Sequence, residues 1–189
     1  MHFFYIFDKI RQNSTICLWY KSYANFYLVR EEDRFMFDEY YINADTLLIT
    51  PVGKNKTKIH DVNGTYIVKK PVFEVVDISC QYYGSSYSGR YIGAKKLLDM
   101  DYKLPIIVDE VKEIVIFPTC SPKSEDCCWI CVNNVDNYEK SIKHSKVKFV
   151  NNSIFEIKVS LNSLENQIMR ATMLLMRLKR RKNQSKKIG

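Results

Sequence analysis

Glycine and proline are scarce in this 189-residue chain, with 6 and 5 copies, which argues against a long disordered linker. Histidine is scarcer still, and none of His2, His60 and His144 sits in a recognised catalytic context. Nucleophilic catalysis needs a Cys or Ser with a partnered His, so the chain gives no catalytic residue to name. Long apolar runs are missing too. No window reaches the ~18 or more uncharged apolar residues of a membrane span. The apolar start, Met1 to Phe7, is broken by Asp8, Lys9 and Arg11, so it makes no secretory signal. The expectation is a cytoplasmic protein with no membrane partner and with reduced thiols.

Acidic residues stop at Glu165. After it come Arg170, Arg177, Lys179, Arg180, Arg181, Lys182, Lys186 and Lys187, and the formal net charge is +8. Those eight cations account for the whole imbalance. A neutral body with a basic end points to a polyanion, either nucleic acid or an anionic surface. The bland alternative is a solvated tail, with cations that suit the negative end of a helix dipole.

The apolar and charged fractions, 46% and 26%, are ordinary for one soluble domain with an arm or tail. Residues 1–35 lack sustained periodicity and read as an N-terminal extension. Met36 follows Arg30-Glu31-Glu32, which purine-rich codons can encode as a ribosome-binding site. A native start at Met36 is therefore expected, and mass spectrometry of the native N-terminus checks it. The functional domain is expected over residues 36–182, with a basic tail over 183–189.

Tyr40 to Ile49 is a β-favouring run closed by Pro51, and Val62 to Lys70 reads as a strand with Asn63-Gly64 as its turn signal. Residues 71–83 read as a short helix opened by Pro71 and followed by Gly84. Ser85 to Gly93 reads as a small-residue loop. Strands are expected over 104–109, 113–118 and 129–132, and a hairpin over Lys146 to Ser160. Asn162-Ser163-Leu164-Glu165 has capping-box character and opens a helix running to about Lys182. Leu164, Ile168, Ala171, Leu175 and Leu178 form its apolar face. The class is α+β, a small mixed or antiparallel sheet with a short central helix and a long C-terminal helix.

Cys120, Cys127, Cys128 and Cys131 are closely spaced. A zinc site needs four converging ligands, yet only Cys128 and Cys131 have a familiar spacing. A strand around Trp129 would send those two to opposite faces, so no metal ligand is assigned and no cofactor is expected. The loop from Gly84 to Arg90 matches no phosphate-binding or dinucleotide fingerprint. Its small residues, Gly84, Ser85, Ser86 and Gly89, let backbone approach a surface closely. Arg90, Lys95 and Lys96 follow it. Together with Arg177, Lys179, Arg180, Arg181 and Lys182 they are the candidate DNA contacts. Phosphate neutralisation supplies affinity without sequence choice, whereas an Arg can enter a narrow A/T-rich minor groove.

Val76-Asp77-Ile78-Ser79-Cys80 and Tyr83-Gly84-Ser85-Ser86-Tyr87-Ser88-Gly89-Arg90 with Gly93 resemble the central motif of ComK-type competence transcription factors. Pro105-Ile106-Ile107-Val108, Ile116-Phe117-Pro118-Thr119, Trp129-Ile130 and Val159 to Gln167 with Arg170 follow in the family's order. The resemblance spans about Tyr40 to Arg181. It implies an activator of DNA-uptake genes that binds paired A/T-rich boxes on double-stranded DNA, mainly through the minor groove. It further implies a homo-oligomer and turnover by an adaptor and a Clp protease. Leu104-Pro105 stands where the family has a double Pro, and residues 1–35 have no counterpart. The alternatives are a nonspecific nucleic-acid-binding protein and an interaction module with a basic helix.

Overall fold

The central strands are apolar on both sides of the pleat, and that pattern gives the main sheet two buried faces. The structure is a computed structural model that describes residues 36–185. Readings that fall on residues 1–35, and on Lys186 and Lys187 of the tail, lie outside the described residues. The elements run β1 (Met36–Phe37), β2 (Thr46–Pro51), β3 (Thr57–Asp61), β4 (Gly64–Val68), α1 (Val72–Tyr82), α2 (Tyr87–Leu98), β5 (Ile106–Asp109), β6 (Ile114–Pro118), β7 (Trp129–Cys131), β8 (Val135–Lys140), β9 (Ser145–Phe149), β10 (Ile154–Ile157) and α3 (Leu161–Ser185).

Seven strands form one sheet in the order β1-β4-β3-β2-β7-β6-β5, and β10-β9-β8 form a second. The β1–β4 pair is parallel and the remaining pairs are antiparallel. The expected α+β class with a mixed sheet holds.

Alternation along the strands assigns the two cores. Ile106, Val108, Ile114, Ile116, Trp129 and Cys131 face one side with Ile49 and Ile59, and α1 covers them with Val72, Val75, Val76 and Cys80. Ile107, Val115, Phe117 and Ile130 face the other side, under α3 and the Val147, Phe149 and Ile157 side chains of the small sheet. Cys128 packs on this second core and Cys131 in the first, so the two do diverge as the strand reading required.

The long helix docks through Leu164, Gln167, Ala171, Leu174 and Leu178, all buried. Their 3-4-3-4 spacing makes one stripe. Ile168 and Leu175, expected in that stripe, flank it half-buried. Gln167 belongs in it because its Nε2 donates to the Pro118 carbonyl at 2.9 Å, deep against β6. The helix also starts earlier than the Asn162 reading. Ser160 Oγ accepts from the Ser163 N–H at 3.3 Å, so Ser160 is the cap, and the helix continues past Lys182 to Ser185.

Five further elements differ from the sequence reading. Residues 40–43 do not extend β2, because Asn43 makes a turn there: its side chain accepts from the Asp45 N–H at 2.8 Å, and the Ile42 N–H donates to Ser79 Oγ at 3.1 Å. β3 and β8 were missed, since each is mostly polar: Ile59 is the one aliphatic residue of β3, and β8 is half-buried only at Val135 and Tyr138. The expected strand Val62–Lys70 narrows to Gly64–Val68, with Val62 and Asn63 forming the turn from β3. The largest difference is α2, which occupies most of the expected Ser85–Gly93 loop. It is capped by Ser86 Oγ, which accepts from Gly89 N–H at 3.2 Å, and by Asp77 Oδ1, which accepts from Tyr87 N–H at 2.8 Å. A left-handed Asp99 ends it.

Candidate nucleic-acid interface

α1 and α2 meet at a tight corner, and the corner explains the small residues of the motif. Gly84 sits at φ +81°, a left-handed conformation that glycine adopts without steric penalty. A Cβ on Gly89 would come 2.7 Å from Ser85 Oγ, so a side chain there would make the Ser85 hydroxyl turn away. Gly84, Ser86 and Gly89 are exposed and Ser85 is half-buried. The backbone at this corner is open to solvent, in keeping with close approach by a partner.

α2 then runs along β5, at the end of the sheet, and presents Lys95 and Lys96 to solvent. Lys95 is paired with Asp101. Arg90 points the other way. Its side chain is only 10% exposed, and its guanidinium reaches Glu110 Oε1 at 2.6 Å and the Tyr83 carbonyl at 2.8 Å. Arg90 therefore ties the corner to the β5–β6 turn.

The basic half of α3 arrives at the same turn. Lys182 Nζ donates to the carbonyls of Glu110 at 3.1 Å and Val111 at 3.4 Å, and pairs with Glu113 at 3.1 Å. Lys179 pairs with the other Glu113 oxygen at 3.3 Å. The Lys182 ammonium, with Lys179 beside it, holds the Glu113 carboxyl below the usual carboxylate range. Arg177 donates to the Leu97 carbonyl in the last turn of α2. Arg90 from α2 and Lys179 and Lys182 from α3, far apart in sequence, thus meet around Glu110–Glu113.

Helical geometry sorts the rest. Arg180 lies two residues past the buried Leu178, about 200° round the helix, and is exposed. Among the described residues neither Arg180 nor Lys96 makes an ion pair. Arg181 is also exposed on α3. Nine cations (Arg90, Lys95, Lys96, Lys112, Arg177, Lys179, Arg180, Arg181 and Lys182) face five carboxylates (Asp99, Asp101, Asp109, Glu110 and Glu113) along this edge, which leaves it positive. Such an edge attracts a polyanion and leaves the most exposed cations to contact it.

The sequence reading missed Glu110, Glu113 and Asp101. Acidic residues in a balanced body give no local signal, and only the packing of α3 against the β5–β6 turn identifies them as organisers of the cations. No helix among the described residues is long and apolar enough to cross a membrane.

Residues 37–183 match the family model described as ComK protein. The competence transcription factor of Bacillus subtilis (strain 168) is 33% identical over 141 residues, which span 72% of this chain and 73% of that protein. No solved structure matches the chain.

Proposed function

Because the chain belongs to the ComK family, we propose that it is a DNA-binding transcription activator of competence genes, acting at A/T-rich boxes mainly through the minor groove. The observation that carries the DNA-binding reading is the positive edge where α2 and the end of α3 converge, with Arg180 and Lys96 turned outward. Arg180, Arg181 and Lys96 take phosphates, and Lys95, Arg177, Lys179 and Lys182 add to the attraction while holding the edge together. The Gly84–Gly89 corner is where backbone comes nearest the DNA, and Arg90 holds that corner in place. The protein works as a homo-oligomer, so that two units meet two boxes. It acts in the cytoplasm at the nucleoid, and an adaptor and a Clp protease turn it over.

The printed role of the Bacillus subtilis relative, a competence transcription factor, supports the regulatory reading. Footprinting tests it. Protection of two spaced A/T-rich boxes is the expected result. Uniform, salt-sensitive protection of any duplex would identify a nonspecific nucleic-acid-binding protein. No protection at low salt would leave only a protein-interaction role.

A further inference from the structure

The β6–β7 ladder pairs Ile116 with Cys131, Phe117 with Ile130 and Pro118 with Trp129. The same register continues one step: the Thr119 N–H donates to the Cys128 carbonyl at 2.9 Å and the Cys128 N–H to Thr119 Oγ1 at 3.0 Å. The next opposed positions are Cys120 and Cys127. They lie just past the last ladder pair, where a continued antiparallel register would make them a non-hydrogen-bonded pair. Cα atoms at such sites stand about 4.5 Å apart, within the roughly 4.4–6.8 Å that a disulfide spans.

Both side chains pack on the same core, the one that holds Trp129 and Cys131. Cys127 Sγ lies 3.8 Å from the Cys120 carbonyl oxygen, so the sulfur sits over the opposite strand. Cys128 points to the other core and Cys131 is 1% exposed. Cys120 is half-exposed, as is Cys128 on the opposite face, and of the facing pair Cys120 is the one a reagent can reach. From this geometry we propose that Cys120 and Cys127 are a redox modification site, a thiol pair that closes into a disulfide across the β6–β7 turn.

The oxidant is a small-molecule disulfide. Cys120 thiolate attacks one of its sulfurs, forming a mixed disulfide and releasing one thiol. Cys127, after losing its proton, attacks the Cys120 sulfur and releases the second thiol. The protein gives up two electrons and two protons, and the reagent becomes two thiols. Burial pushes the Cys127 thiol up to about 12, so the second step is slow near neutrality and speeds up as pH rises. The closed loop runs through Ser121–Asp126, a turn already held by Ser124 N–H to the Ser121 carbonyl at 2.9 Å and Cys127 N–H to the Ser124 carbonyl at 3.1 Å. The closure falls within a turn that is already formed, and the constraint acts mainly on the unfolded chain.

The test treats the folded full-length chain with oxidised glutathione at pH 8.5, then maps it with trypsin under non-reducing conditions. Lys123 lies between the two cysteines, so cleavage leaves peptides joined only by the disulfide, and fragmentation places the bond. The expected product is Cys120 linked to Cys127, reversed by dithiothreitol, with Tm higher by roughly 5–10 °C. Cys127→Ser should trap glutathione on Cys120. A glutathione adduct that persists on Cys120 in the unsubstituted chain would overturn the proposal, as would a bond to another cysteine or unreacted thiols. Each readout is independent of DNA binding.

Discussion

The cations of α2 and those of α3 look alike in sequence and differ in three dimensions. Arg90 is turned inward against Glu110 and the Tyr83 carbonyl, and its side chain is 10% exposed. Arg180 sits on the far side of α3 from Leu178, which is 3% exposed, and faces solvent. One positive charge holds two elements together, and the other is available to a ligand. A count of basic residues weighs them equally, whereas burial and partners separate a structural cation from a phosphate contact. Lys179, exposed, and Lys182, half-buried, fall between, both shared with Glu113.

The difference can be sharpened by substitution, starting with the inner face of α3. Leu174 is fully buried beneath the helix, and Leu174→Ala should destabilise the fold by about 2–5 kcal/mol. Urea unfolding should show this while the charges are untouched; a stability loss below about 1 kcal/mol would mean that α3 docks loosely. Arg90→Ala should come next, at about 1–2 kcal/mol. It removes charged hydrogen bonds from a largely buried side chain, and the exposed Glu110 end of the pair adds little. Binding to A/T boxes and to mixed DNA should then weaken together. Selective loss of the A/T preference would instead place the guanidinium in the groove.

Glu113→Gln should act in the opposite direction. It frees Lys179 and Lys182 from their internal partner, so affinity for any duplex should rise several-fold at low salt and the salt dependence should steepen. A fall in affinity would show that Glu113 is needed to position the lysines. The last effect, seen only on lowering pH, belongs to His60, whose ring lies 4.4 Å from that of Phe155. Burial, with Lys58 nearby, lowers its pKa to about 4. The unfolded chain therefore binds the extra proton first, and the stability tied to neutral His60 is complete above about pH 6.5 and lost as pH falls toward 4. Thermal unfolding between pH 7 and 5 should show a smaller drop in Tm for His60→Phe than for the unsubstituted chain.

The elements read correctly from sequence are those whose side chains alternate or repeat strongly. α1, β5, β6, β7 and the β9–β10 hairpin all carry dense apolar residues, and the family motif along them identified the ComK family. The sequence of α2 reads as a loop because it lacks an apolar stripe, and in the fold only Ala94 and Leu98 of its twelve residues are buried. Gly89 and Gly93 also weaken helix propensity. Its start depends on Asp77, a carboxylate on a different helix that sequence spacing does not connect to Tyr87. The candidate interface shows the same division. The basic run of α3 stands out by composition, but the inward turn of Arg90 and the pairing of Glu113 depend on contacts about 20 and 70 residues away in sequence.

The outward role of α3 is best examined by measuring the salt dependence of duplex binding for the unsubstituted chain and for Arg180→Ala with Arg181→Ala. The intact protein should show log K falling with log salt at a slope of roughly −4 to −5, and the double substitution should flatten that slope by about two while the chain stays folded. An unchanged slope in a folded double variant would contradict phosphate contact at the end of α3.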